Sequence, residues 1–214
     1  IYVFMFGYVF KSKQQYFAIF VFIGITFWDF FNKCLIQSVK LIKANKPIVS
    51  KVYIPKFILI LVKIGVNGFK MFISLLIIVA MLAVWRVPIT YNVIYIIPIL
   101  MTLIVLVFGF SCYLLHYGVF VEDLSNVLNI ALRFLFYLTG IFWSIMDRLP
   151  APYNSYIGRC NPIAFLLTSA RDCVIYGSTP HRKLLLLWFV IGLIISALGV
   201  RKIYKNENSY VKVI

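Results

Sequence analysis

The sequence predicts an all-α integral membrane protein with about six transmembrane helices, and three observations carry that prediction. First, 63% of the 214 residues are hydrophobic and only 13% are charged, whereas soluble domains carry about 25% charged residues. Second, the apolar residues form runs long enough to cross a bilayer, which takes about 20 residues for one helix. Third, most of the 21 basic residues flank these runs, as the positive-inside rule expects. The net charge of +15 therefore indicates membrane topology and contact with anionic lipid headgroups rather than nucleic-acid binding.

The apolar run 1–10 opens the chain and is too short to span a bilayer. It also lacks the basic region and the small-residue cleavage site of a signal peptide. We interpret it as the tail of a first span whose beginning is absent. Residues 1–214 are then expected to form a single transmembrane domain with an incomplete N-terminus.

The second span is predicted from about Gln15 to beyond Trp28, with its helix continuing through Cys34 into a basic region. Six lysines and no acid occur from Lys33 to Lys56. Such an excess of positive charge marks a cytoplasmic loop.

The third span is predicted from about Phe57 to Val84, because Arg86 and Pro88 end its apolar run. The uncharged stretch 87–121 is too long for one upright helix, so its first residues are expected to form a turn or the helix to tilt.

Glu122 and Asp123 form a short polar break before a fifth span, which is predicted over 124–145. A long insert, 147–183, is rich in Pro, Gly and Asn and precedes the last span, 184–200. The tail after that span is basic. Four spans separate it from the basic loop, so both are expected on the cytoplasmic side.

The stretch 45–56, NKPIVSKVYIPK, is a polar island between the second and third spans. Asn45 is a good helix cap and Pro47 is tolerated in a first helical turn, while Pro55 stops a helix. Apolar side chains recur there at helical spacing, at Ile48, Val49, Val52 and Tyr53. A short amphipathic helix of this kind either lies flat on the membrane surface or fits a groove in a soluble partner. The alternative is a plain basic loop.

A polar stripe lies at membrane depth on the third span. Lys63, Asn67 and Lys70 are spaced by four and three residues and so share one helix face. A lysine at the centre of a membrane helix costs about 2.5–3.5 kcal/mol, so we hypothesise that this face borders the path of an anionic substrate. Arg133 on the fifth span is a similar case. The alternative is snorkelling, in which the lysine head reaches the membrane surface.

No catalytic constellation is found in the sequence. The chain has no phosphate-binding G-x-x-x-x-G-K-[ST] loop, and no serine or cysteine has a neighbouring base. His116 and His181 are not paired with cysteines at metal-ligand spacing, so no metal site is predicted. Cys160 and Cys173 share the insert and could pair there, although free thiols are favoured. We therefore predict a chain that is not an enzyme and has no cofactor of its own.

Four segments, taken in order, resemble the ABC-2 type permeases, specifically the branch that exports lipid-linked polysaccharide, O-antigen and teichoic acid. The segment 48–59, IVSKVYIPKFIL, is similar to the stretch before the third span of these permeases. The segment 121–143 resembles their short acidic turn and fifth span, and 159–177 resembles their Asn-Pro, Arg-Asp and Tyr-Gly insert. A last apolar span and a basic tail complete the match, which covers nearly everything from about Tyr16 onward. Glu122 departs from the pattern, because the family often has Arg there.

The resemblance implies a transport subunit that docks on a separate ATP-binding subunit, which would bind ATP and Mg²⁺. The polar island would be the coupling helix that enters a groove of that ATPase; its residues are Lys46, Ile48, Val49, Lys51, Val52, Tyr53 and Pro55. Glu122 and Asp123 would form a second cytoplasmic contact. Two copies of the chain would assemble in the bacterial cytoplasmic membrane and export a glycan on a lipid carrier.

The resemblance also implies that the insert forms short re-entrant helices near the outer exit of the transport path. Such irregular backbone is tolerated in a membrane only if it is buried in protein or lines a water-filled cavity. The insert residues that match the family are Asn161, Pro162, Arg171, Asp172, Tyr176 and Gly177.

Three other functions fit parts of the sequence. An ABC-2 permease for a drug or a lipid has the same architecture. A membrane-embedded glycosyltransferase or acyltransferase should show a pair of catalytic acids or a histidine in a loop, and none is convincing here. A channel outside the ABC class would need no ATPase.

Overall fold

The computed structural model describes residues 16–49, 54–144, 153–207 and 209–210. Within these ranges the chain consists of helices joined by turns and short loops, without a strand. The α-helices of these ranges, in chain order, are α1 (Phe17–Val39), α2 (Leu41–Ala44), α3 (Lys46–Val49), α4 (Lys56–Val84), α5 (Ile96–Phe120), α6 (Leu124–Leu138), α7 (Tyr153–Cys160), α8 (Pro162–Val174) and α9 (Arg182–Lys205). A short 3-10 helix, Tyr91–Tyr95, precedes α5.

Four helical stretches in the described ranges are long and apolar enough to cross a membrane. They are α1, α4, Tyr91–Phe120 and α9, and α6 is a shorter apolar helix. These helices confirm the predicted all-α membrane class. The predicted first span involves residues 1–10, which lie outside the described ranges.

The boundaries of α1, α4 and α5 agree with those that the sequence predicts. Helix α1 continues past Cys34 to Val39, as predicted. Helix α4 begins directly after Pro55, because a proline fits well just before or at the start of a helix. The uncharged stretch 87–121 indeed begins with a turn, since extended residues and the 3-10 helix precede α5.

The predicted fifth span, 124–145, is wrong in its end point, because α6 stops at Leu138. Thr139 closes the last turn: its amide and its hydroxyl both donate to the carbonyl of Leu135, at 2.9 and 2.6 Å. Gly140 then has a φ of +69°, the left-handed conformation that ends helices and that glycine adopts without strain. The apolar residues after it extend the hydrophobic run of the sequence but not the helix.

Tertiary contacts divide the chain into two compact units. Within the described residues, unit 1 comprises 16–29, 70–100, 134–144 and 153–186. In unit 1, α8 packs against α7 and against the 3-10 helix Tyr91–Tyr95. The predicted single domain, 1–214, stays a prediction.

Unit 2 comprises 30–49, 54–69, 101–133, 187–207 and 209–210. Small residues bring α5 and α9 together in this unit, as is common between membrane helices. The hydroxyl of Ser196 on α9 donates to the carbonyl of Val105 on α5 at 3.0 Å. Gly109 on α5 faces Ser196, and Gly199 on α9 faces Cys112.

Candidate functional site

The insert of unit 1 begins with a well-formed helix start. The side-chain oxygen of Asn161 accepts hydrogen bonds from the amides of Ile163 and Ala164, at 3.1 and 3.3 Å. Pro162 occupies the first position of α8, where its missing N–H leaves no backbone bond unmade. The Asn-Pro pair therefore fixes where α8 begins, and nearly all of its apolar side chains are buried.

Arg171 is the most deeply buried charge among the described residues of the insert, with 3% of its surface exposed. Its Nε donates to the carbonyl of Phe20 at 3.1 Å. Its Nη1 and Nη2 donate to the carbonyls of Gly140 and Ile141, at 2.9 and 2.6 Å. The guanidinium also lies 3.4 Å from the centre of the Phe20 ring, where it gains a cation–π interaction. Arg171 thus ties α8 to α1 and to the turn after α6, all within unit 1.

Two features of its surroundings accommodate this cation. The carbonyls of Gly140 and Ile141 follow the C-terminal end of α6, which carries the negative end of the helix dipole. Gly24 of α1 leaves room for the guanidinium, because a Cβ at this position would lie 2.6 Å from Nη2.

Burial shifts the protonation of Arg171 and of its chain neighbour in opposite directions. It lowers the pKa of Arg171 to about 9, while the charges of Tyr176 and Asp172 act to raise it. Burial raises the pKa of Asp172 to about 6, and the charges of Arg171 and His181 oppose that rise. Arg171 therefore stays charged at neutral pH. The carboxyl of Asp172 titrates just below neutrality.

The end of the insert is attached to the 3-10 helix of the same unit. Gly177 has a φ of +64°, and its carbonyl accepts a hydrogen bond of 2.6 Å from Nδ2 of Asn92. Arg182, at the start of α9, lies 5.1 Å from the ring centre of Tyr95. Tyr176 is 44% exposed beside this attachment. Among the family-matched insert residues, Arg171 is buried and Tyr176 is exposed, while the others are half-buried: Asn161, Pro162, Asp172 and Gly177.

The predicted coupling segment is only partly described. A helix is present over Lys46–Val49, with Pro47 in its first turn as predicted. Asn45 does not act only as a helix start: it ends α2, and its Nδ2 donates to the carbonyl of Leu41 at 2.7 Å. Lys51, Val52 and Tyr53, and the side chain of Ile48, lie outside the described part of the chain, whereas Lys46 is exposed and Val49 is buried.

An ion pair lies next to this segment and was missed in the sequence. Nζ of Lys56 lies 3.1 Å from Oε1 of Glu207, and the two side chains are 3% and 9% exposed. The sequence reading assigned Lys56 to a basic loop, whereas it is the first residue of α4. The sequence did contain a signal for this ion pair: Glu207 is the only acid after Asp172, and it lies in the basic tail.

The polar stripe of α4 contains residues in unlike environments. Asn67 is 3% exposed, and its Nδ2 donates to Oε1 of Gln37 at 3.0 Å. It therefore packs α4 against α1 in unit 2. Lys63 is half-buried, while Lys70 and Arg133 are exposed. Their role at a substrate path stays a prediction.

Glu122 and Asp123 form the turn before α6, and both are exposed. The carboxylate of Asp123 accepts a hydrogen bond of 2.6 Å from Nδ2 of Asn126. Asp123 thereby organises the first turn of α6 and leaves Glu122 on the surface.

No group of three or more His, Cys, Asp and Glu residues that could hold a metal ion occurs within the residues that the structure describes. Cys160 and Cys173 are not joined by a disulfide in the structure.

The chain is similar along its whole length to curated membrane transport proteins. It is 23% identical over 215 residues to two proteins from Klebsiella pneumoniae, each described as an O-antigen export system permease protein RfbA. The match covers 100% of this chain and 82% of each relative. No protein-family model matches the chain. The likeness to these relatives confirms the resemblance to the O-antigen exporter branch of the ABC-2 permeases.

Proposed function

We propose that this chain is the transmembrane permease subunit of an ATP-driven exporter for a polysaccharide of the O-antigen type. The observation that carries the proposal is the full-length similarity to O-antigen export permeases. The four long apolar helices and the shorter α6 support a multi-pass membrane subunit. Because the chain carries no phosphate-binding loop, the energy of ATP enters through a separate ATP-binding subunit.

The segment from Lys46 to Pro55 is the proposed docking element for that ATPase. It follows α1 and α2 in the chain and ends at Pro55, directly before the first residue of α4. Its helical start over Lys46–Val49 and its basic, apolar and aromatic side chains suit a groove on a soluble partner. Glu122 and Asp123, exposed in the turn before α6, provide the proposed second contact.

The proposed substrate is a glycan on an anionic lipid carrier in the bacterial cytoplasmic membrane. Lys63, Lys70 and Arg133 are the proposed contacts to its headgroup, because a cation at membrane depth is otherwise unfavourable. Two copies of the chain would enclose the path. Export of a drug or a simple lipid is not favoured, since the names of the relatives refer to O-antigen.

Co-purification with candidate ATPase subunits tests the proposed function. The full-length protein should capture one specific ATPase, and Val52→Asp or Tyr53→Asp should weaken capture by at least about tenfold, as loss of a central contact does. Tyr91→Asp is the matched control: Tyr91 is 98% exposed and lies in the 3-10 helix, away from the docking segment along the chain. This variant should keep capture within about twofold.

Two results would overturn the proposal. Failure of the wild-type protein to capture any ATPase would favour a channel or an enzyme. Normal surface polysaccharide in cells that lack the gene would exclude the export role.

A further inference from the structure

The C-terminal tail of unit 2 is attached at two separate points after α9 ends at Lys205. The first is the ion pair between Glu207 and Lys56, whose charged atoms are 3.1 Å apart. Two charges with so little exposed surface are removed from water only when they face each other, since an unpaired buried charge is strongly unfavourable. The pair therefore holds the tail at the first residue of α4.

The second attachment is an aromatic cluster at the end of α5. The ring of Tyr210 is fully buried, with 0% of its surface exposed. Its hydroxyl lies 2.8 Å from Nδ1 of His116, and its ring centre lies 6.1 Å from that of Phe120. Burial and the neighbouring charge of Glu207 raise the pKa of the Tyr210 phenol, so the hydroxyl keeps its proton for this hydrogen bond.

These two attachments join the starting point of α4 to the end of α5 through the tail residues Glu207 and Tyr210. A ring contact between Phe57 and Tyr204, with centres 5.7 Å apart, adds a third link between α4 and the end of α9. Lys56 follows Pro55 directly, so the anchored end of α4 is also the end of the proposed docking segment.

We propose that Glu207 and Tyr210 form a coupling strap that holds the base of α4 fixed against α5, so that movement of the docking segment is transmitted to the spans. Glu207 and Tyr210 are positioning residues, because they act through Lys56 and His116. This inference rests on the proposed function. Small shifts at one site are passed on by packed elements because such elements take discrete arrangements and do not deform continuously.

Charge exchange within the pair tests the strap. Glu207→Lys places a second cation beside Lys56 and should lower polysaccharide export in cells by at least about fivefold, in the range of a typical coupling between sites. ATPase capture and ATP hydrolysis by the purified complex should stay within about twofold. The double exchange Lys56→Glu with Glu207→Lys restores the opposite charges and should return export to within about twofold of wild type.

Tyr210→Phe is the conservative variant for the second attachment. It removes the hydroxyl at His116 and keeps the buried ring, so it should lower export with little change in abundance. Lys205→Glu is the matched control, because Lys205 is exposed at the end of α9. This control should not change export by more than about twofold.

The outcomes separate the strap from the proposed function. A wild-type protein that captures no ATPase overturns the proposed function itself. A wild-type complex that works normally, together with a double exchange that restores nothing, overturns the strap alone. A purely structural pair is indicated if export, ATP hydrolysis and membrane abundance all fall in parallel, and this also overturns the strap. If the Glu207→Lys protein does not accumulate in the membrane, the double exchange and Tyr210→Phe distinguish a coupling strap from a purely structural pair.

Discussion

The guanidinium of Arg171 lies 3.4 Å from the centre of the Phe20 ring and also donates a hydrogen bond to the carbonyl of the same residue. Phe20 thus contacts the cation through both its side chain and its backbone. With the carbonyls of Gly140 and Ile141, three backbone acceptors and an aromatic face surround one positive charge. Unit 1 therefore joins α1, the end of α6 and α8 at a single side chain, rather than through apolar packing alone.

Arg171→Lys should destabilise the protein although the charge is kept. The ammonium of lysine cannot reproduce the planar fork that reaches two carbonyls at once. Leaving buried carbonyls without donors costs about 3 kcal/mol, which lowers the thermal midpoint in detergent by about 6–12 °C for a chain of this size. Arg201→Lys, on the exposed end of α9, should stay within about 2 °C. Equal midpoints for the two variants would show that the fork of Arg171 contributes nothing.

The half-buried carboxyl of Asp172 should make stability depend on pH. Its pKa is about 6 in the folded protein, above the ordinary value of 3.8. The folded state therefore binds the proton more tightly than the unfolded state, and this contribution to stability is lost as the pH rises from about 4 to about 6. Asp172→Asn should remove that loss, so that the thermal midpoints of wild type and variant diverge as the pH rises.

The control for this titration is Glu122→Gln, which changes an exposed carboxyl. At neutral pH its thermal midpoint should stay within about 2 °C of that of the wild type. Parallel pH curves for the wild type and Asp172→Asn would contradict a raised pKa at Asp172.

The helix start at Asn161 should be sensitive to a single side-chain oxygen. Asn161→Ala removes the acceptor for the amides of Ile163 and Ala164 and should cost about 1 kcal/mol. Asn161→Asp keeps an oxygen in place and should retain most of the stability. The thermal midpoints of both variants check this prediction, and equal losses in the two would contradict a capping role.

The sequence predicted the long helices well because residues next to the helix ends mark where each helix begins. Pro55 marks the start of α4, and the Asn161-Pro162 pair marks the start of α8. The early end of α6 was missed because apolar residues continue past Gly140, and hydropathy alone does not distinguish a helix from a buried turn. Gly140 was the one local signal of that end.

The contacts of the insert and the tail could not be predicted from neighbouring residues, because their partners are far away in the chain. Arg171 meets carbonyls that are 151, 31 and 30 residues away in the chain, and backbone acceptors carry no residue-type signature. The Arg-Asp pair was recognised in the sequence, but the sequence does not indicate that Arg171 is the buried residue of the two. Glu207 pairs with Lys56 across most of the chain, and only its isolation in a basic tail hinted at a partner.

Gly24 should tolerate no larger side chain, because the guanidinium of Arg171 occupies the space in front of it. A Cβ at this position would lie 2.6 Å from Nη2 of Arg171 and 3.1 Å from Cγ2 and the carbonyl oxygen of Ile141. Gly24→Ala should therefore displace the guanidinium and cost about 2 kcal/mol, the range of an overpacked core. Gly65→Ala is the matched control within a long helix, since its added Cβ would meet nothing within 4 Å. The control should be neutral or stabilising by up to about 1 kcal/mol, as alanine favours helices over glycine. Thermal midpoints in detergent that move in opposite directions for the two variants would place the constraint at Arg171, and a stabilised Gly24→Ala would refute it.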